Sequence, residues 1–411
     1  MAETLKRLDQ SRLNVISKYR ANPLAWRGQF TPQLVDYLLE SFSDPGDLVV
    51  DPFSGSGTVL FESASHDMPC FGNELNPAAY LMSKFFHLVN FERSEREAIT
   101  EQLRESLSGL VGRYDDLPLM SQADKHREKY SNLLALAKEL LAATSYDSMV
   151  LCLAANVLFK AESSRINDLG QAVWRSYDYI ATFAGELPYT TSPVDAQLGD
   201  ARAMHQALDR KAGLVITSPP YINVFNYHQN HRAIVELLGW DLLRVARSEI
   251  GSNRRNRGNR FRTVIQYCLD MSQFLNAMAM AIRQEGILVL IVGRESNVRG
   301  VPFYNGRIIR DLLQLHPCFT RLGHYERHFI NRFGLKIYED ILVTKRDDVS
   351  PQLFPEEKVR RVASKHLKYA RKTASDKVNR DLESAIQDVL SLPCSDWYTT
   401  MENPIELTIP A

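Results

Sequence analysis

The chain has no CxxC pair, no long apolar run and no surplus of either charge. Its five cysteines, odd in number and irregularly spaced, fit a reduced compartment better than a disulfide framework, and without CxxC they offer no zinc ribbon. No stretch approaches the ~18 apolar residues needed to cross a bilayer. The opening "MAETLKRLDQSRLNV" is amphipathic without a signal-peptide core, so the cytoplasm is the expected location and no membrane is expected as a partner. Lysine plus arginine (49) equals aspartate plus glutamate (49), so the molecule as a whole does not announce a polyanionic partner; any such contact must come from a local patch. The phosphate-loop pattern GxxxxGK[ST] is also missing.

What is present is a βαβ grammar. "PQLVDYLLESF" (32–42) has helical spacing, with Thr31 as N-cap and Pro32 at the first turn. "LVVDPFSGSGTVLFESASH" then reads as a short strand, a glycine loop and a helix from about Thr58, and "CFGNELNP" as a second strand ending at Glu74. From 91 to 190 the pattern turns helical without a repeat. Strand-like runs resume in "VDAQLGDAR", "GLVITSPPY", "GILVLIVGRES" and "YEDILVTKR", and the charged, proline-punctuated stretch beyond Arg346 reads as peripheral. Four segments are expected: 1–90, 91–195 as a helical insertion that braces the scaffold, 196–346, and a charged tail, 347–411.

The motifs fall at strand ends, where open α/β sheets bind ligands. Gly55 and Gly57 permit positive φ and close approach of a ligand to the backbone. Glu74 has the position of a carboxylate that accepts from two ribose hydroxyls, and Asp200 in "LGDAR" that of an acceptor for an adenine amine. After "GLVIT", Ser218-Pro219-Pro220-Tyr221 makes a rigid corner that no strand or helix continues through.

"DPFSGSGT", "ELNP", "GDAR" and "TSPPY" together resemble the motifs of DNA amino-methyltransferases, which methylate exocyclic amines with S-adenosylmethionine. The Ser-Pro-Pro-Tyr form is most similar to the cytosine-N4 group, and "QFTPQLVDYLL" resembles the cofactor motif that precedes the glycine loop when the cofactor half comes first. The likeness covers roughly 27–80 and 196–240. It implies a Rossmann-like class I methyltransferase α/β sheet carrying a large helical insertion. It also implies S-adenosylmethionine bound by Gln29, Phe30, Thr31, Asp51, Pro52, Phe53, Gly55, Gly57, Thr58, Glu74, Asn76, Asp200 and Ala201. Ser218, Pro219, Pro220 and Tyr221 then carry the reaction: Ser218 Oγ and the Pro219 carbonyl accept from the substrate amine, and Tyr221 stacks on a base flipped from the duplex. Double-stranded DNA is the implied partner, with a restriction endonuclease or defence protein as a further one. Adenine-N6 methylation, guanine-N2 methylation of RNA, and a DNA-binding subunit without chemistry are the alternatives.

The cytosine-C5 reaction would need a thiolate nucleophile in a Pro-Cys pair. Pro69-Cys70, Pro317-Cys318 and Pro393-Cys394 all lie away from the corner and read as structural. The stretch 244–262 carries seven arginines against one glutamate, and Arg254, Arg255, Arg257 and Arg260 are the expected DNA contacts. His228 and His231 have no acidic or cysteine neighbour in sequence, so no metal site is expected there.

Overall fold

The computed structural model describes residues 8–15, 22–26, 28–114, 122–222, 227–330 and 334–398, with the side chains of 122–127 left aside. Nine strands are described: β1 (Val49–Asp51), β2 (Cys70–Glu74), β3 (Val194–Leu198), β4 (Ala212–Thr217), β5 (Ile282–Gly293), the short hairpin β6 (Glu295–Val298) and β7 (Val301–Tyr304), and the long hairpin β8 (Phe319–Ile330) and β9 (Lys336–Arg346). Seven of them form one sheet in the order β3-β2-β1-β4-β5-β9-β8. Strands β1 to β5 pair in parallel, and β9 runs antiparallel to both β5 and β8. This is the Rossmann-like α/β sheet the motifs imply.

Residues along each central strand alternate between two cores. Val49, Leu214, Ile216, Val289, Ile291 and Val343 enter one core. Val50, Val215, Leu288, Leu290, Val292 and Leu342 enter the other. Because helices cover both faces, β4 is buried at every position and reads as an unbroken aliphatic run rather than an alternating one. Chain order reverses between β1 and β4, and a crevice opens at the carboxyl ends of strands at such a switch point. The glycine loop leaves β1 there, and the Ser-Pro-Pro-Tyr corner leaves β4.

The helical stretch contains Arg93–Leu110, Gln122–Ala143, Ser148–Glu162 and Leu169–Glu186, inserted between β2 and β3 on the first core. Cys152 Sγ and Asn156 Nδ2 both donate to the Leu81 carbonyl, which fastens it to the helix that follows β2.

Two expectations need correction, and one strand carries no signal in the sequence. Strand β5 begins at Ile282, four residues ahead of the aliphatic run, and β8 was not legible at all. As an edge strand, β8 mixes polar and apolar residues on a half-exposed surface. The segment after 346 is not peripheral. Helices Glu356–Ala370 and Asp376–Gln387 bury Val359, Val362, Leu367, Val378 and Leu382 in the second core, and their charges cover only the outward faces. The chain then returns as a strap, 392–398, tied to Arg202 and Asp270.

Candidate active site

The glycine loop is held from below. Asp51, buried at the end of β1, accepts from Phe53 N (3.1 Å) and from Thr217 Oγ1 (2.6 Å) on β4, which locks the two loop-bearing strands together. Burial pushes its carboxyl up to about 7, against the pull of those two donors. Gly57 has φ +80°, and a Cβ there would lie 2.5 Å from the Phe86 ring and 2.9 Å from Ser83 Cα. Gly57→Ala is therefore expected to lose about 1–3 kcal/mol, read as a lower urea midpoint. An unchanged midpoint would contradict the packing.

One cavity at the switch point is lined by Gln29, Phe30, Pro52, Phe53, Gly55, Thr58, Glu74, Asn76, Asp200 and Ala201, and by Ser218, Pro219, Pro220 and Tyr221. Thus both predicted half-sites share a wall. Thr31, Asp51 and Gly57 stand behind it: Thr31 caps the helix Pro32–Phe42, and the other two shape the loop.

Glu74 and Asp200 differ in what they have left to offer. Glu74 Oε2 accepts from Gly55 N (2.9 Å) and Oε1 from Asn76 N (2.8 Å). The Leu75 N–H also pulls on this carboxylate, and since a carboxylate has about four acceptor positions, at least one remains for a ligand. Burial pushes the Glu74 carboxyl up to about 7, the backbone donors oppose it, and Glu249 adds to it. Asp200 has nothing spare. Its Oδ1 takes the N–H and Nε–H of Arg202, and its Oδ2 takes Arg202 Nη2 and Tyr398 N. The expectation that Asp200 accepts an adenine amine fails on this count, because Arg202 and the strap fill the carboxylate from inside. Two other wall residues hold buried polar atoms without a protein partner, Asn76 Nδ2 and Ser248 Oγ. Together with the open acceptor capacity on Glu74, these fit a polar, hydroxyl-bearing ligand.

The Ser-Pro-Pro-Tyr corner is set by two glycines. Tyr221 packs its ring on Gly293, where a Cβ would approach to 2.7 Å. Its carbonyl presses on Gly251, where φ is +77° and a Cβ would approach to 2.2 Å. Ser218 Oγ lies 3.2 Å from Tyr221 Oη, and burial raises the phenol so that it stays protonated.

Several wall residues had no signal in the sequence. Trp26 and Tyr227 stack, with centroids 6.1 Å apart and planes at 18°. Glu249, the single acid of the arginine-rich stretch, enters the wall and accepts from His228 N and Nδ1, both at 3.1 Å. Arg254 Nη1 meets the other ring nitrogen at 3.1 Å, so His228 donates from Nδ1 and accepts at Nε2. Arg254 therefore serves this chain of contacts rather than the surface. Arg255 pairs with Asp396 (2.8 Å), while Arg257 and Arg260 are exposed. His231 pairs with Glu162 (2.5 Å) from the helical stretch, an acidic partner invisible in sequence. No cysteine lines the cavity, and burial pushes the Cys70 and Cys152 thiols up to about 12.

Residues 7–85 match the family model described as DNA methylase, of the N6/N4 type. Over 106 residues the chain is 27% identical to the Type II methyltransferase M.MjaII of Methanocaldococcus jannaschii. That match covers 26% of this chain and 20% of the relative, so the chain spans about a fifth of the curated relative's length. The rRNA methyltransferase aviRa from Streptomyces viridochromogenes aligns over 87% of this chain and 96% of its own, at 11% identity and a TM-score of 0.32. A SAM-dependent methyltransferase from Methanosarcina mazei aligns over 75% and 97%, at 8% identity and a TM-score of 0.33. No described helix is long and apolar enough to cross a membrane.

Proposed function

We propose that the chain binds S-adenosylmethionine at the switch-point cavity and methylates the N4 amine of a cytosine extruded from DNA. The observation that carries this is a single wall holding both Glu74, with acceptor capacity left open, and the Ser218–Tyr221 corner. When bound, the cofactor supplies an electrophilic methyl on a sulfonium sulfur.

The residues do the positioning. Glu74 accepts the ribose hydroxyls. Ser218 Oγ and the Pro219 carbonyl accept the hydrogens of the cytosine amine, drawing its lone pair out of the ring and toward the methyl. The nitrogen bonds the methyl as the sulfur–methyl bond breaks to leave a neutral thioether, and its surplus proton passes by way of the Ser218 hydroxyl to solvent. Tyr221, seated on Gly293, carries the base ring. Serine rather than aspartate at 218 favours cytosine over adenine, and a cavity wall that holds no cysteine favours amine over C5 chemistry. Of Arg254, Arg255, Arg257 and Arg260, the exposed Arg257 and Arg260 are retained as phosphate contacts; Arg254 is drawn to His228, and Arg255, though exposed, pairs with Asp396. The likeness to a Type II methyltransferase extends the proposal to restriction–modification or phage defence, with an endonuclease as partner.

Sequencing DNA from cells expressing the protein, with discrimination of N4, N6 and C5 marks, tests the reaction. N4-methylcytosine at one recurring sequence is expected. N6-methyladenine would transfer the proposal to the adenine alternative, and unmarked DNA would end it.

The raised Glu74 carboxyl makes cofactor binding depend on pH. Only the ionised form accepts from both hydroxyls, so affinity should rise about tenfold from pH 6 to pH 8 as a group near 7 ionises. Calorimetry should show this rise in the native chain and a nearly flat profile for Glu74→Gln. A rise that persists in Glu74→Gln would assign it to another group.

A further inference from the structure

We infer that the groove between the helix Leu242–Ser248 and the strap 393–398 seats the DNA strand flanking the extruded base, with Trp397 as a stacking platform. The inference rests on the DNA-methyltransferase reading above. Arg244, Arg247 and Arg255 line the groove, and Asp396 is the only carboxylate opposite them. A concave surface of that charge complements a phosphodiester backbone.

The strap is clamped rather than loosely laid. Arg202 donates to the Ser395 and Asp396 carbonyls, Arg244 to the Trp397 carbonyl (2.7 Å) and Arg255 to the Cys394 carbonyl (3.2 Å). Ser395 N donates to Asp270 (2.8 Å). These contacts fix Trp397, whose ring lies 4.6 Å from the buried Arg202 guanidinium and is still 42% exposed. An aromatic ring held rigid from beneath and open to solvent loses little entropy when a base stacks on it.

Position supports the assignment. Arg247 is exposed and immediately precedes Ser248, Glu249 and Ile250, which line the cavity. One helix end therefore separates the groove from the extruded base. Among the described residues Arg247 forms no ion pair, so its charge is available to phosphate.

The test uses the full chain and a short mixed-sequence duplex with one cytosine mismatch, titrated by fluorescence anisotropy at several salt concentrations. Arg247→Ala should reduce the slope of log affinity against log salt by about 0.9. Trp397→Leu keeps an apolar contact on Arg202 and should weaken binding on the order of tenfold with the slope unchanged. Both variants should bind S-adenosylmethionine like the native chain. Native affinity and slope in both would overturn the inference. So would a Trp397→Leu variant whose weaker DNA binding is matched by weaker cofactor binding, since the ring would then be only a prop. If the native chain binds the duplex and the variants behave as expected but no methyl reaches DNA, the methyltransferase reading fails and the groove stands. If methyl transfer occurs and the variants match the native chain, the groove alone fails.

Discussion

Arg202→Met is expected to cost about 3–5 kcal/mol of folding stability, with the deficit smaller at pH 5 than at pH 8. The guanidinium is wholly buried and binds Asp200 (2.6 Å) and Asp270 (3.4 Å), besides the strap carbonyls. Methionine fills much of the space but strands both carboxylates in the second core. Asp270 has one oxygen without a partner already, and burial holds its carboxyl near 6 even though Arg202 pulls it down. Without Arg202 its folded value rises further above the unfolded one. A group raised in that way gives stability that is present below the unfolded carboxylate range and is lost as pH rises through the folded value. Urea unfolding at the two pH values checks both parts. A variant within about 1 kcal/mol of the native chain at pH 8 would show that the strap and Asp200 are held some other way.

Ser218→Ala should lower single-turnover methyl transfer about 100- to 1000-fold while cofactor affinity stays close to native, because the lost acceptor acts only on the amine as it turns nucleophilic. Tyr221→Phe should cost less, since it removes only the hydroxyl 3.2 Å from Ser218 Oγ. Tyr221→Ala should cost more, since it also empties the seat on Gly293. Native transfer by Ser218→Ala would pass the acceptor role to another wall residue, with Glu249 the first to examine. Single cysteine-to-serine variants should remain active, because every thiol lies outside the cavity wall.

The parts of the site legible in the sequence are those whose local backbone demands a particular residue. Gly57 is required by a left-handed φ and a crowded ring, Pro219-Pro220 by a corner that ends a strand, and Glu74 by its place as the last residue of the strand that follows the glycine loop and its helix. Such constraints act within a few residues, so they leave a readable pattern, and the order of strands follows from the order of the patterns. What only the tertiary structure decided is how far-separated side chains spend their hydrogen-bonding capacity. Asp200 looks like a free acceptor until Arg202 and Tyr398, 198 residues away, fill it. Glu249 looks like a stray acid in an arginine run until His228 turns it into the wall. Within the same arginine run, Arg254 and the exposed Arg255 are tied to side chains only because His228 and Asp396 reach them. The tail looked solvated because its charges outnumber its valines and leucines, yet burial follows the face a helix presents rather than its average composition.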